Sequence, residues 1–286
     1  QTTENGDIQV HFLDVGQGDA ALINDGEFEI LIDAGVSAEG TKVVQYLSNY
    51  VDGDLDVVVA THEDADHIGG LPAVLDAYTV EEVVDNGRTS STKTYQTYHN
   101  KVQAEGADYA VDTAAQNITL PSGATLEFLP ITDVYDNAND NSVVTMLTYG
   151  DVEVLFTGDL SSDVADANSS LFSDVDVLKA GHHGSRTSVS SQFLQTTKPE
   201  YVVISAGLDN SYGHPHKEAL SAYLNTGADV YGTFRSGDIV MTTDGQQISF
   251  DTTKTLTLSD VGAKSTGTTP VQNPVTQPEQ PSKPEA

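Results

Sequence analysis

The segment Thr61-His62-Glu63-Asp64-Ala65-Asp66-His67-Ile68-Gly69-Gly70 constrains this chain more than any other stretch. It brings His62, Asp64, Asp66 and His67 within six residues of one another. An apolar, β-branched run, Val57-Val58-Val59-Ala60, precedes it, and a Gly-Gly pair ends it. That pattern predicts a buried strand that ends in a short ligand-bearing loop, with a helix beginning near Leu71. Nitrogen and oxygen donors this dense suit two divalent cations better than one. Imidazole fits zinc, iron or manganese, and carboxylates favour the harder of these.

With 286 residues, 38% of them hydrophobic, the chain can bury the core of one large α/β domain. That domain is expected over residues 1–258. Residues 259–286 are rich in Pro, Thr and Gln without hydrophobic periodicity, which predicts a disordered tail or linker. No apolar run approaches the ~20 residues needed to span a bilayer. No segment reads as a signal peptide, and what precedes Gln1 is left open. Cysteine is absent, so disulfides and thiolate ligands are excluded. The tail suggests an extracellular or cell-surface location, with the cytoplasm of a salt-accumulating halophile as the alternative.

Charge is the other strong constraint. Forty-three Asp and Glu against 12 Lys and Arg give a net charge of -31. Such a surface opposes nucleic-acid binding, because phosphate contacts rely on Lys and Arg. It also fits adaptation to high salt, where the Debye length shrinks to ~3 Å at 1 M and self-repulsion weakens.

Strands are expected at 8–13, 20–24, 29–33, 55–60, 80–84, 124–129, 143–149, 152–157, 175–179, 201–205, 230–231, 239–243 and 248–250. Helices are expected at 41–50, 70–78, 91–105, 161–168, 189–196 and 216–225. Two sets of strands with interspersed helices predict helix, sheet, sheet, helix layering, with any metals at one edge of the sandwich.

Six of the eight histidines fall into three groups: His62 and His67, His182 and His183, His214 and His216. His11 and His99 lie outside them and read as non-catalytic. The motifs run in order: His11-Phe12-Leu13-Asp14-Val15-Gly16-Gln17-Gly18-Asp19-Ala20, Ile32-Asp33-Ala34-Gly35, the His62–Gly70 segment and Asn141-Ser142-Val143-Val144. Leu155-Phe156-Thr157-Gly158-Asp159-Leu160, Leu178-Lys179-Ala180-Gly181-His182-His183-Gly184-Ser185, Tyr212-Gly213-His214-Pro215-His216 and Thr242-Thr243-Asp244-Gly245 follow. In this order they resemble the metallo-β-lactamase fold superfamily, and within it the hydrolase domain of ComEC-type DNA-uptake proteins, over roughly residues 8–245.

The resemblance implies a four-layer αββα sandwich and two divalent metal ions, zinc or manganese. It implies that His62 and Asp64 hold the first and that Asp66 and His67 hold the second. Asp159 matches the family's bridging carboxylate, His182 or His183 supplies a missing imidazole, and His214 completes the second metal. Of the adjacent pair, His182 is assigned here as the ligand and His183 to catalysis or phosphate contact, although either residue fits either role. Asp64 stands where many superfamily members have His, which hardens the site. Asn141-Ser142 replaces a ligand His of other members, and both are assigned to substrate. Asp33 is expected to orient a ligand, and Asp14 and Asp19 to fix the Gly16-Gln17-Gly18 turn. Lys179, Ser185, Arg186 and Thr187 surround the His-His motif as candidates for receiving phosphate, with Lys179 and Arg186 assigned to catalysis.

The implied reaction is phosphodiester hydrolysis by a water activated between two metals and attacking in line, with Asp66 essential. The expected substrate is DNA, for an extracellular or surface nuclease. A small phosphodiester, such as a phosphocholine-type headgroup or a cyclic nucleotide, is the alternative, as is a non-catalytic surface module. Fold alone does not decide among substrates, and the sequence leaves the oligomeric state open.

Overall fold

The computed structural model describes residues 6–112 and 117–261. The chain first lays down β1 (Ile8–Phe12), β2 (Ala21–Asn24), β3 (Glu29–Ile32), β4 (Leu55–Ala60), β5 (Val80–Asp85) and β6 (Asp108–Val111). A second sheet follows with β7 (Asn117–Thr119), β8 (Thr125–Leu129), β9 (Val144–Tyr149), β10 (Val152–Phe156), β11 (Val177–Lys179), β12 (Tyr201–Ile204) and β13 (Asp229–Gly232). The chain then returns to the first sheet with β14 (Ile239–Thr243) and β15 (Ile248–Phe250). The strand orders are β15-β14-β1-β2-β3-β4-β5-β6 and β13-β12-β11-β10-β9-β8-β7.

Each sheet is antiparallel on one side and parallel on the other. β3, β4, β5 and β6 are mutually parallel in the first sheet, and β10, β11, β12 and β13 in the second. Parallel neighbours need long crossovers, and the helices supply most of them. The side chains sort the layers by the period-2 rule. In β4, Val57 and Val59 enter the core between the sheets, while Val58 and Ala60 face the helices. In β10, Val154 and Phe156 point inward, and Leu155 packs toward the helices on the other side. Phe12 and Phe156 stack across the sandwich at 6.1 Å between ring centroids. The inter-sheet core and the two helix-sheet cores form the expected αββα sandwich.

Several elements depart from the sequence expectation. β6 and β7 are additional strands. β6, Asp-Tyr-Ala-Val, exposes three of its four positions and is too short to show a periodicity. A four-residue helix, Ala65–Ile68, stands inside the segment expected to be loop. The polar helix expected at 91–105 begins at Lys93, where Thr92 caps it by accepting from the Tyr95 amide at 3.2 Å. It buries Tyr95, Tyr98 and Val102, one face of an otherwise polar helix. Residues 262–286 of the expected tail lie outside the described residues. Among the described residues, no helix is long and apolar enough to cross a membrane.

His11 is fully buried on β1, with its Nδ1 2.9 Å from the Tyr46 hydroxyl. Burial pushes its imidazole down from the ordinary 6.5 to about 4. The unfolded chain takes up this proton below about pH 6.5 and the folded chain only below about 4, so stability is lost as pH falls through that window. His11→Gln should flatten the pH dependence of the urea midpoint across the same window; an unchanged slope would rule out His11 as its source.

Candidate metal centre

The ligand-bearing loops leave the carboxyl ends of parallel strands, the edge where open α/β sheets bind ligands. β4 ends at Ala60, and His62 follows two residues later. Asp64 occupies the N-cap of the short helix that carries Asp66 and His67. Two neighbouring loops lace this segment in place through main-chain hydrogen bonds. The Asp19 amide donates to Asp66 O at 3.1 Å, Ala34 to His67 O at 2.9 Å, and Gly70 to Gly35 O at 2.9 Å. The approach is so close that a Cβ on Gly18 would collide with Asp66 O, and one on Gly70 with Ala34 O. The Gly-Gln-Gly and Gly-Gly motifs are therefore packing requirements of the site.

The second sheet supplies the facing side. Asp159 follows β10, and its amide donates to the Ser142 hydroxyl at 3.0 Å. His182 and His183 lie in the turn Gly181–Gly184 after β11, both with left-handed backbones, φ 47° and 54°. For residues with a Cβ, such conformations cost about 1–3 kcal/mol each and concentrate at functional sites. The turn is held by the His182 amide donating to Gly158 O at 3.1 Å and the Ser185 amide to His182 O at 2.8 Å.

These elements bring six of the expected site residues together. Asp159 Oδ1 lies 3.3 Å from His67 Nε2. Its other oxygen, Oδ2, lies 3.6 Å from His183 Nε2 and 3.7 Å from His182 Nε2. His183 Nε2 is also 3.4 Å from Asp66 Oδ2. Donor atoms of His62, His67 and Asp159 fall within 4.8 Å of one another, as do those of Asp66, His67 and His183.

The outer ring nitrogens are occupied. His67 Nδ1 bonds Asp33 Oδ2 at 2.7 Å, His183 Nδ1 bonds Asp19 Oδ1 at 3.0 Å, and His62 Nδ1 bonds the Thr61 hydroxyl at 3.1 Å. Asp33 also accepts from the Thr61 amide at 2.8 Å and the Thr61 hydroxyl at 2.7 Å. By contrast, His62 Nε2, His67 Nε2, His183 Nε2 and Asp159 Oδ1 are buried with no hydrogen-bond partner among the described residues. Buried polar atoms are rarely left so, because each unmade bond carries a desolvation penalty. Inward Nε2 lone pairs, outward Nδ1 atoms held by carboxylates and an unpartnered carboxylate oxygen match the donor set of a metal centre. The residues fit divalent cations.

The remaining expected residues are more dispersed. Asp64 lies at the rim, half exposed, 3.8 Å from His62 Nε2. The His214 ring is stacked a layer out, 5.3 Å from that of His182 and 6.0 Å from that of His183, and its Nδ1 is 3.3 Å from the Gln17 amide nitrogen. His216 occupies the N-cap position of the helix Lys217–Thr226 without a side-chain capping bond, and its Nδ1 accepts from the Arg186 amide at 3.1 Å. Arg186 itself is exposed. Ser185 and Thr187 bond each other at 2.9 Å. The Asn141 amide is used within its own loop, by Tyr135 and Asn137, and also by Arg88. Lys179 is buried, with its ammonium 2.7 Å from Asp19 Oδ2 and 3.1 Å from Ala180 O, so it anchors Asp19 instead of facing substrate. Asp19 thus does more than fix a turn: it joins Lys179 to His183. The Gly-Gln-Gly-Asp motif marked its position but not its partner.

Charge sets the protonation of the metal-free site. Burial pushes His62 down to about 3. Burial opposes charge on His183 as well, but Asp159 and Asp19 outweigh it and lift the ring to about 10. His67 is raised in the same way, by Asp159 and Asp33 against burial. Burial works to raise Asp159, yet His183 and His67 hold it well below the usual carboxylate range.

The sequence profile of the metallo-beta-lactamase superfamily matches residues 13–207. The chain belongs to this superfamily. Recombination protein 2 of Haemophilus influenzae is 30% identical over 81% of this chain and 28% of its own length. ComE operon protein 3 of Bacillus subtilis is 29% identical over 81% of this chain and 32% of its length. Competence protein ComA of Neisseria gonorrhoeae is 32% identical over 78% and 30%. The chain thus spans under a third of each of these relatives. Among solved structures, the metallo-beta-lactamase fold protein YhfI of Bacillus subtilis superposes with a TM-score of 0.54 at 15% identity, over 82% of this chain and 100% of its own. A metallo hydrolase of the archaeon Ignicoccus hospitalis gives 0.50 at 17% identity, over 86% and 100%. These likenesses concern the fold, and the superfamily implies divalent metal binding.

Two outcomes are expected. Asp33→Asn should weaken metal affinity by about 10–100-fold, as loss of a partner behind a ligating His does; competition titration with a chromophoric chelator reads it, and wild-type affinity would remove Asp33 from this role. The carboxylates around His67 and His183 favour their protonated forms in the metal-free protein, so loading is expected to release protons. Calorimetric heats of zinc binding should then differ between buffers of unlike ionisation enthalpy and affinity should fall as pH is lowered; equal heats would mean that both rings are already neutral.

Proposed function

We propose that this chain is a metal-dependent phosphodiester hydrolase that uses two divalent cations, zinc or manganese, and that its substrate is DNA. The observation that carries the reading is the division of Asp159. One carboxylate oxygen faces His67, and the other faces His182 and His183. A buried carboxylate with each oxygen turned to a different set of imidazoles is one that would help hold two cations, which would supply Lewis-acid chemistry there. His62, His67 and the rim residue Asp64 belong to one set. Asp66 and His183 belong to the other, with His67 in reach of both.

When bound, such a pair of cations polarises the phosphoryl oxygens and lowers the pKa of water. The chain's own residues do the rest. Asp33 and Asp19 hold the outer nitrogens of His67 and His183, so their Nε2 lone pairs stay inward. Ser142 fixes the Asp159 backbone through its hydroxyl. His182 is the more exposed of the adjacent pair, with the Asn139 amide 3.4 Å from its Nδ1 and Asp159 Oδ2 3.7 Å from its Nε2. It is the ring left to meet the substrate or to give a proton to the leaving oxygen.

The assignment to DNA rests on relatives named for competence and recombination. The chain spans under a third of each of these relatives, so what they do as whole proteins is not carried over to it. The second reading, a small phosphodiester, is favoured by the net charge of -31, which opposes a polyanion. Function in high salt, at or outside the cell surface, would reconcile the charge with DNA, because screening weakens repulsion at long range.

The test is cleavage of linear and circular, single- and double-stranded DNA in molar salt, with manganese, zinc or a chelator. Metal-dependent cutting is expected. Asp66→Ala should reduce it by more than the roughly 10–100-fold typical of residues one layer behind a ligand. Full activity in that variant would refute the two-metal assignment. No DNA cleavage by metal-loaded protein that still hydrolyses bis(p-nitrophenyl) phosphate would favour the second reading.

A further inference from the structure

A cavity of ≈ 540 Å³ lies beside the metal centre, among the loops after β5, β6 and β8. β5 and β6 are the next strands after β4 in the first sheet, and their carboxyl ends share its edge. With strands about 4.8 Å apart, the cavity continues the ligand-bearing edge one or two strands beyond His62. Its wall includes Asn141 and Ser142. The Ser142 hydroxyl is 3.5 Å from His62 Nδ1 and accepts from the Asp159 amide.

Arg88 lines this cavity. Its position is built from several sides. Asn86 accepts from the Arg88 amide at 3.0 Å, and the Asn86 side chain donates to Glu63 Oε2 at 3.3 Å and to Asn141 O at 3.1 Å. Arg88 Nη2 donates to Asn141 Oδ1 at 3.0 Å. That bond uses one of the guanidinium's five donors. Lys101, Lys179, Lys198 and Arg235 each pair with a carboxylate. No carboxylate lies within ion-pair distance of Arg88 among the described residues. In a chain with 43 acidic residues and 12 basic ones, a half-buried arginine held on a neutral amide is a cation kept open for an anion.

The rest of the lining includes the carboxylates of Asp112 and Asp133 and adds two further chemistries. Ile131 and the exposed Val134 give an apolar wall. Asp112 Oδ1 is buried there without a hydrogen-bond partner among the described residues, an acceptor for an amino group. A cation, an apolar face and a free acceptor are what the phosphate, the ring face and the amino edge of a nucleotide require.

We propose that this cavity is a nucleotide subsite, in which Arg88 takes a phosphate neighbouring the scissile one and the Ile131–Val134 wall takes its base. The proposal deepens the phosphodiesterase reading and rests on it: a substrate longer than one diester gains from the subsite and a minimal one does not. It also identifies how so acidic a protein holds a polyanion, through one fixed cation beside the metals instead of a basic surface.

Two measurements on the zinc- or manganese-loaded full chain test it, with Arg88→Gln and Arg88→Lys as variants. The first is the affinity of a dye-labelled single-stranded tetranucleotide across a salt series. Arg88→Gln should weaken it about 10-fold or more and lower the salt slope by about 1, as loss of one phosphate contact does; Arg88→Lys should retain the slope. The second is the ratio of kcat/KM for an oligonucleotide to that for bis(p-nitrophenyl) phosphate, which should fall about 10–100-fold in Arg88→Gln, the range of a hydrogen bond to a charged group. An equal loss on both substrates, an unchanged ratio or an unchanged salt slope would overturn the subsite. If the native protein hydrolyses neither substrate, the phosphodiesterase reading fails, and the binding measurement alone then decides the subsite.

Discussion

The Asp159 carboxylate is the point on which the rest of the centre depends. It is buried at the seam of the two sheets, and rings from both reach it: His67 from one side, His182 and His183 from the other. Without compensation, so many carboxylates and imidazoles could not share a dry volume. In the metal-free state the carboxylates of Asp159, Asp33 and Asp19 favour charged imidazoles, which lifts His67 and His183 despite their burial. The surrounding structure is arranged to keep the inner donors unspent. Asp33 and Asp19 take the outer nitrogens, Lys179 neutralises Asp19 from behind, and main-chain hydrogen bonds fix the loop that carries Asp66. The paired left-handed histidines fit the same logic: a local backbone cost sustained by the packing around it.

Much of the architecture was legible in the sequence because its strands are apolar and β-branched, and the period-2 alternation separates the cores. The dense His62–His67 cluster and the Asp33 turn carried their chemistry openly. What could not be read arises where neighbours in sequence part in space. His182 and His183 are adjacent, yet a left-handed turn points His183 into the ligand cluster and leaves His182 at the opening. Nothing in the letters fixes the sign of φ at a histidine. Lys179 looked like a phosphate receptor because it adjoins the motif; it is drawn inside by Asp19, 160 residues away. His214 has the spacing of a ligand but stands a ring outward. Arg88 carried no motif at all, since its meaning comes from Asn141, 53 residues on. The polar strand β6 and the short helix at Ala65 lack any periodicity long enough to detect.

The charge distribution gives the acidity a local reading. The few cations are not spread evenly over the surface. Several are consumed by single carboxylates, Lys179 is buried within the centre, and Arg88 and Arg186 stand on either flank of it. Long-range attraction for an anion is weak in such a molecule. Recognition must then come from contact, where a fixed guanidinium in a low-dielectric cavity is worth more than many mobile lysines in water.

No single sheet owns the site. His62, Asp66 and His67 come from the first, and Asp159, His182 and His183 from the second. A chain with one half folded would hold scattered donors with no shared focus. An ion bound there would act as a rivet between the sheets, so that separating them would also forfeit its binding energy.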